Sequence, residues 1–386
     1  LRWALPLAVA CALSTMPRGG LGLLIQLYLK NLNSSPLLIS LAASVGSIGI
    51  LLGGLFWGTL SDSRRRKPLL FILLGAGALA LGVQALLLPP TGVLVGVFFV
   101  VFMLTGFIPI AMAIISQASS LSNRGRNLSA IHASRSLGFM LGGAMVGFVL
   151  QGVGFRWGFG LFAVLPLLAI AFIIALPGEQ ETSPPARRTS VKGLANSGLG
   201  PLYLAAVLRQ AGVVGAQSLI FVHMASLGIA EGAMGMARAT NHALQVPAML
   251  LFGQLADRVG RRGIFVLGFG LSALVPVVFG VADSAWGMAA GFLILGVAFS
   301  ALYVGSTAHI GDRVPAESQG AMLGLYESSR GLGGVLGPLI AGAIAPVVGF
   351  RNMFFVMAGI AATGFLLVVF RRDRTHRVSH SDLSIK

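Results

Sequence analysis

The chain has 386 residues, of which 56% are hydrophobic and only 10% charged, and it carries a formal net charge of +16. Soluble domains carry roughly 25% charged residues, so this composition excludes a water-soluble globule, which would lack the polar side chains to cover its surface. The single cysteine, Cys11, excludes an internal disulfide and a cysteine-built metal site, and reads as a small packing residue.

Long uncharged runs set the class. LLFILLGAGALALGVQALLL (69–88) and VLVGVFFVVFMLTGFIPIAMAII (93–115) contain no charge, and each meets the ~20 residues a helix needs to cross a bilayer. Twelve spans are predicted, near 4–29, 36–60, 68–88, 92–116, 127–151, 157–176, 201–225, 232–256, 263–281, 286–309, 319–345 and 352–370. The expected fold class is all-α and integral to the membrane. The first span is not read as a cleavable signal peptide, because no small-residue cleavage site precedes a soluble domain.

Between the sixth and seventh spans, PGEQETSPPARRTSVKGLANSGLG (177–200) is polar and rich in Pro, Ser and Gly, the composition of a flexible linker. The expected organisation is an N-terminal six-helix bundle (1–176), a cytoplasmic linker (177–200), a C-terminal six-helix bundle (201–370) and a cytoplasmic tail (371–386). With both termini in the cytoplasm, nineteen of the 27 Lys and Arg residues fall on the cytoplasmic side, and only Lys30, Arg156 and Arg351 fall outside. The positive-inside rule favours that orientation. The charge is therefore a topology signal, helped by anionic lipid at the inner leaflet, and not a nucleic-acid surface. A multi-pass protein of a prokaryotic inner or plasma membrane is expected.

The two halves are copies. A shift of 195 residues aligns Gly58, Leu60 and Asp62 with Gly253, Leu255 and Asp257. It also aligns Ser134, Arg135, Leu137, Gly138, Leu141, Gly142 and Gly147 with Ser329, Arg330, Leu332, Gly333, Leu336, Gly337 and Gly342, and VGFR (153–156) with VGFR (348–351). One offset serving three separated stretches marks an internal duplication. Six spans separate the copies, so the repeats are parallel and related by an axis along the membrane normal.

Twelve spans as six plus six, a polar central loop, and G-x-L-x-D-x-x-x-R-[RK] after spans 2 and 8 resemble the major facilitator superfamily across essentially the whole chain. The resemblance implies transport by rocking of the two halves, with the motif loops as a latch between states. It places that role on Gly58, Asp62, Arg66, Gly253, Asp257 and Arg261. The first copy departs from the second, with Ser63 and Arg65 where the second has Arg258 and Gly260. The resemblance also implies that spans 1, 4, 7 and 10 line a central cavity, flanked by 2, 5, 8 and 11.

Five arginines remain inside spans: Arg18, Arg135, Arg209, Arg238 and Arg330, against one carboxylate, Glu327. Each arginine at mid-helix costs at least ~2.5–3.5 kcal/mol on insertion scales, and none falls on a span expected to face lipid. Arg135 and Arg330 are equivalent under the shift, and Arg18 maps to Val213, one helical turn from Arg209. Organophosphate antiporters of the superfamily similarly place one arginine on span 1 and one on span 7 around a phosphate. The guanidinium fork suits phosphate or carboxylate, so all five are candidate substrate-binding residues, led by Arg18 and Arg209. A structural alternative pairs Glu327 with Arg330 on one helix. Glu327, His132 and His242 are candidates for proton coupling, and His132 is the shift equivalent of Glu327. Gln210, Gln217, Asn241, Gln245 and Tyr303 either orient a substrate or satisfy one another.

No G-x-x-x-x-G-K-[ST] loop, H-E-x-x-H motif or cysteine pair occurs. No enzyme activity, catalytic residue, cofactor or metal is expected. The leading expectation is a secondary transporter of a small organic anion, by antiport or proton coupling. The alternative is a proton-driven exporter of amphipathic drugs or lysolipids. The expected partners are the small molecule, a coupling proton and membrane lipid, with the chain acting as a monomer.

Overall fold

The computed structural model describes residues 4–119, 121–176, 199–311 and 316–370. Most of the expected linker, 177–198, and the expected tail lie outside these residues. Fourteen helical segments follow one another in the first half as α1 (Ala4–Asn31), α2 (Pro36–Ser63), α3 (Arg66–Gln84), α4 (Pro90–Thr105), α5 (Phe107–Ala118), α6 (Leu121–Val153) and α7 (Phe155–Ile174). The second half comprises α8 (Gly200–Gln217), α9 (Ile220–Ser226), α10 (Glu231–Ala243), α11 (Gln245–Val259), α12 (Arg261–Val281), α13 (Ala285–Gly311) and α14 (Ala316–Val369).

Ten stretches of the described residues are long and apolar enough to cross a membrane. The last of them, Met322–Val369, is two spans that fold back about Gly349 at φ 81°. The expected eighth span is missing from the ten because α10 and α11 are separate pieces meeting at Leu244. Counting both brings the number to the expected twelve. Proline explains that break. Pro247 has no N–H for the Ala243 carbonyl and its ring crowds that carbonyl, so the helix parts one residue later. Pro109 does the same at Thr105, and α4 gives way to α5 at Gly106. There the Trp57 indole donates to the Phe102 carbonyl at 3.0 Å, satisfying a group the break sets free.

The duplication is visible in the backbone. Asn33 and Gly228 take positive φ (53° and 71°) in equivalent turns, as do Gly154 and Gly349 (82° and 81°). The motif loops differ, as their sequences do. In the second copy Gly260 turns the chain at φ 88°, whereas Arg65 holds φ −60° after a longer break. Both following helices nevertheless start at equivalent residues, Arg66 and Arg261.

Packing repeats too. A Cβ on Gly138 would strike the Ala12 carbonyl and one on Gly142 the Met16 carbonyl, where α6 crosses α1. A Cβ on Gly333 would strike the Val207 carbonyl and one on Gly337 that of Ala211, where α14 crosses α8. These are the same contacts moved by 195 residues. Small residues let the backbones touch, and dispersion between them replaces the hydrophobic effect that lipid removes.

Among the described residues, backbone-close contact between the halves is concentrated at one end, called here the far end because the chain begins at the other. A Cβ on Gly147 would meet the Glu231 carbonyl on α10, and one on Gly342 would meet Ser40 and Leu37 on α2. Ser44 on α2 also donates to the Val335 carbonyl on α14 at 2.7 Å. At the near end Gly58, Gly125, Gly253 and Gly324 have no atom within 4 Å of such a Cβ. Among the described residues the halves close at the far end and stand apart at the near end.

Replacing Gly142 or Gly337 by Leu is expected to cost about 1–3 kcal/mol or to abolish folding. The thermal midpoint in detergent measures this, with Gly75→Leu as the silent control because nothing lies within 4 Å of its Cβ.

Candidate functional site

Beneath the far-end closure lies a cavity of about 260 Å³ walled by α1, α2, α4, α6, α8, α9, α10 and α13, with Arg18, Gln26, Phe139, Gln217, Arg238 and Phe292 on its surface. Its roof exists because the seventh span is broken between α8 and α9, which frees backbone groups. Gln26 on α1 takes up two of them. Its Nε2 donates to the Gln217 carbonyl at 2.9 Å, and its Oε1 accepts from the Phe221 amide at 3.0 Å.

Two arginines from opposite halves face this cavity. Arg18 holds its guanidinium 5.5 Å from the centroid of Phe139, and Arg238 holds its own 5.5 Å from that of Phe292. Arg238 also donates to Gln217 Oε1 at 3.0 Å. Neither has a carboxylate partner among the described residues. An aromatic face attracts a guanidinium without neutralising it and leaves the in-plane N–H donors unspent. The arrangement can therefore grip a carboxylate or phosphate while aromatic walls cover an apolar remainder.

A second cluster surrounds Phe299 on α13. Arg135 and Arg330 lie 6.0 and 5.8 Å from its ring centroid. Glu327 binds Arg330 through both oxygens, at 2.8 and 2.9 Å, which is the structural pairing the three-residue spacing allows. Its side chain is 62% exposed, and it lies one turn of α14 from the uncrowded near-end Gly324, so Glu327 stands toward the open end. His132 meets the ring of Tyr303 at 5.8 Å, and Tyr303 stacks on Phe299.

The structure separates Arg18 from Arg209. Arg209 is only 4% exposed and donates to Ser272 Oγ at 2.8 Å and Gln210 Oε1 at 2.6 Å, off the cavity surface. Span 1 therefore faces span 8 through Arg18 and Arg238, where the sequence pairs spans 1 and 7. The reason is rotational: at about 100° per residue, Val214, Gln217 and Ser218 lie well around the helix from Arg209 and occupy the cavity-facing side instead. His242 stacks on Phe139 at 4.9 Å, sharing the ring that holds Arg18. Asn241 and Gln245 satisfy one another, and Gln245 ties α11 to Ser136 on α6. Sequence reasoning passed over Phe139, Phe292 and Phe299, whose apolar surroundings hide them. Gln26 had a signal, as the one polar residue in LGLLIQLYL.

Of the motif residues, Asp62 is exposed, and Arg66 is buried and donates to Gln117 Oε1 on α5. Lys67 donates to the Ile174 and Leu176 carbonyls at 3.0 and 2.7 Å, capping the end of α7, where cations are favoured. Gly58 and Gly253 are uncrowded, Arg261 is exposed, and the Asp257 side chain lies outside the described residues.

Comparison with known proteins agrees with this architecture. The sequence model of the Major Facilitator Superfamily matches residues 7–222 and again 199–384. The chain is 26% identical over 341 residues to YuxJ of Bacillus subtilis (strain 168), an uncharacterized transporter of this type, across 80% of this chain and 81% of that protein. It is 26% identical over 325 residues to the multidrug resistance protein MdtG of Salmonella arizonae, across 79% of this chain and 78% of that protein. Among solved structures, the nucleoside transporter NupG shares the fold with a TM-score of 0.76 at 16% identity, covering 96% of this chain and all of that one. A duplicated twelve-span bundle, closed at one end over a cavity and matched in both halves by one family, places this chain in the Major Facilitator Superfamily of membrane transporters.

Proposed function

We propose that the protein is a secondary transporter of a small organic anion bearing a carboxylate or phosphate, working by alternating access. The observation that carries this reading is the pair Arg18 and Arg238, one from each half, facing one cavity with aromatic partners and no carboxylate. Two unneutralised guanidinium groups in a low-dielectric cavity repel each other and any cation, and an anion relieves both. Its two anchors belong to different halves, so a bound anion draws the halves together, the differential interaction that a conformational cycle requires. The cavity of about 260 Å³ suits a molecule of modest size. With both termini cytoplasmic, the open end faces the cytoplasm. His242, stacked on the ring that holds Arg18, is the candidate for coupling a proton to this site.

Phe139, Phe221 and Phe292 around the cavity favour a second reading, an exporter of amphipathic compounds, and the likeness to MdtG agrees with it. The two readings differ in the charge they demand of the substrate.

The latch reading rests on the two motif loops. Gly58 and Gly253 have room for a side chain here, yet glycine recurs at both equivalent positions, so the close approach we assign them belongs to the opposite arrangement of the halves. Asp62, exposed at the open end, would find its partner in that arrangement too.

Counterflow in proteoliposomes tests the substrate class, using labelled organophosphates, carboxylates, anionic lysolipids and lipophilic cations. Exchange of an anion is expected to fall roughly 10–100-fold in Arg18→Ala and in Arg238→Ala, the loss of one charge-assisted contact. Exchange of lipophilic cations alone, indifferent to Arg18, replaces the anion reading with the exporter. In the same assay Asp62→Asn and Gly58→Leu are expected to slow transport at least tenfold while the thermal midpoint in detergent stays put. Unchanged transport in both removes the latch assignment.

A further inference from the structure

Arg135 and Arg330 occupy equivalent positions in the two halves, yet they do not face separate partners. Both converge on the single ring of Phe299, at 6.0 and 5.8 Å, although no equivalent ring is required by the repeat. Their surroundings are unequal at one place. Three residues before Arg330 stands Glu327, with both carboxylate oxygens on Nη1 at 2.8 and 2.9 Å. Three residues before Arg135 stands His132, which meets Tyr303 instead. Arg135 Nε is buried without a hydrogen-bond partner. One carboxylate thus stands beside two guanidinium groups and binds only that of Arg330, while a cation–π contact holds each without cancelling its charge. Glu327, one turn from the uncrowded near-end Gly324, is 62% exposed and Tyr303 40%, so the cluster faces the open end.

We propose that Arg135, Phe299 and Arg330 form a second anion site, outside the Arg18–Arg238 cavity, for the carboxylate or phosphate group of an incoming ligand, and that Glu327 is its built-in occupant. The carboxylate of Glu327 satisfies Arg330 when no ligand is present and competes with the ligand for the same N–H donors. Being exposed, it can swing into solvent at little desolvation cost, which makes the occupant displaceable and not a permanent ion pair. An anion that replaces it gains Arg135 as well, which Glu327 does not serve. The two sites then lie in series, an entry site spanning both halves at the mouth and the inner cavity beneath it. The ligand class rests on the anion reading above; the existence of the outer site does not depend on Arg18.

Equilibrium dialysis of labelled inorganic phosphate against the purified full-length chain in lipid-free detergent tests this. The wild type is expected to bind one phosphate, lost in Arg18→Ala. Glu327→Gln is expected to bind two, the second lost on adding Arg135→Gln. In the Glu327→Gln background, Phe299→Leu is expected to weaken that second site about tenfold while Phe299→Tyr preserves it. Glu327→Ala serves as an independent second variant, so that poor folding of one decides nothing. A Glu327 variant that is folded and still binds only the phosphate sensitive to Arg18 overturns the outer site and leaves the inner one standing. No binding to the wild type, with one phosphate in Glu327→Gln lost on Arg135→Gln, upholds the outer site and overturns the inner. Absence of binding in every variant overturns both.

Discussion

Everything in this molecule hangs on two helix crossings at which backbone touches backbone. Where α6 meets α1 and α14 meets α8, glycine faces a carbonyl oxygen, and no side chain intervenes. Lipid tails are as apolar as leucine, so a membrane bundle gains little by burying hydrocarbon and must hold together by close fit. The crossings supply that fit once per half, in the same register. They also orient α1 and α8 about their axes, and that rotation decides which of their polar residues reach the cavity and which turn into the half-bundle.

The closure between the halves is of a different kind. At the far end it combines glycine contacts of Gly147 and Gly342 with a few hydrogen bonds, among them the two that Gln26 makes with the broken seventh span. Such contacts are short in reach, and the alternating-access cycle proposed above requires that they be exchanged for others. The near-end glycines, which touch nothing, are the complementary set. Halves each held by its own crossing and joined to one another mainly through α6 with α10 and α2 with α14 suit the rocking that alternating exposure of a central site requires.

Charge is handled in an unusual currency. Aspartate and glutamate are scarce within the spans, and four of the five intramembrane arginines rest on phenylalanine rings. Arg209, the fifth, rests on neutral hydrogen-bond acceptors. A carboxylate partner would have consumed the donors and cancelled the field. Phenyl faces offset part of the desolvation cost while leaving the cations available, so the interior stays electropositive along the path from Phe299 to Phe292. Glu327, at the mouth, is the exception among the described residues.

Much of this was legible in the sequence. Uncharged runs of about twenty residues have one stable solution in a bilayer, the helix, because no other local structure satisfies its own backbone there. The 195-residue shift in glycine, arginine and VGFR therefore carried over into paired crossings and paired turns at Gly154 and Gly349. Even the departure of Arg65 from Gly260 reappeared as two differently shaped loops. The set of intramembrane arginines was equally plain, since each is costly and cannot be hidden in composition. Which of them meet was decided only by tertiary structure. Arg18 faces Arg238 and not Arg209, because rotation of a helix about its axis depends on the surface it packs against, and a hundred degrees per residue separates a cavity from a core. The phenylalanines beneath the guanidinium groups come from helices remote in sequence, and an aromatic among apolar neighbours gives no sign of the cation it will hold. Composition and period determine what crosses the membrane; contact between helices determines what faces the substrate.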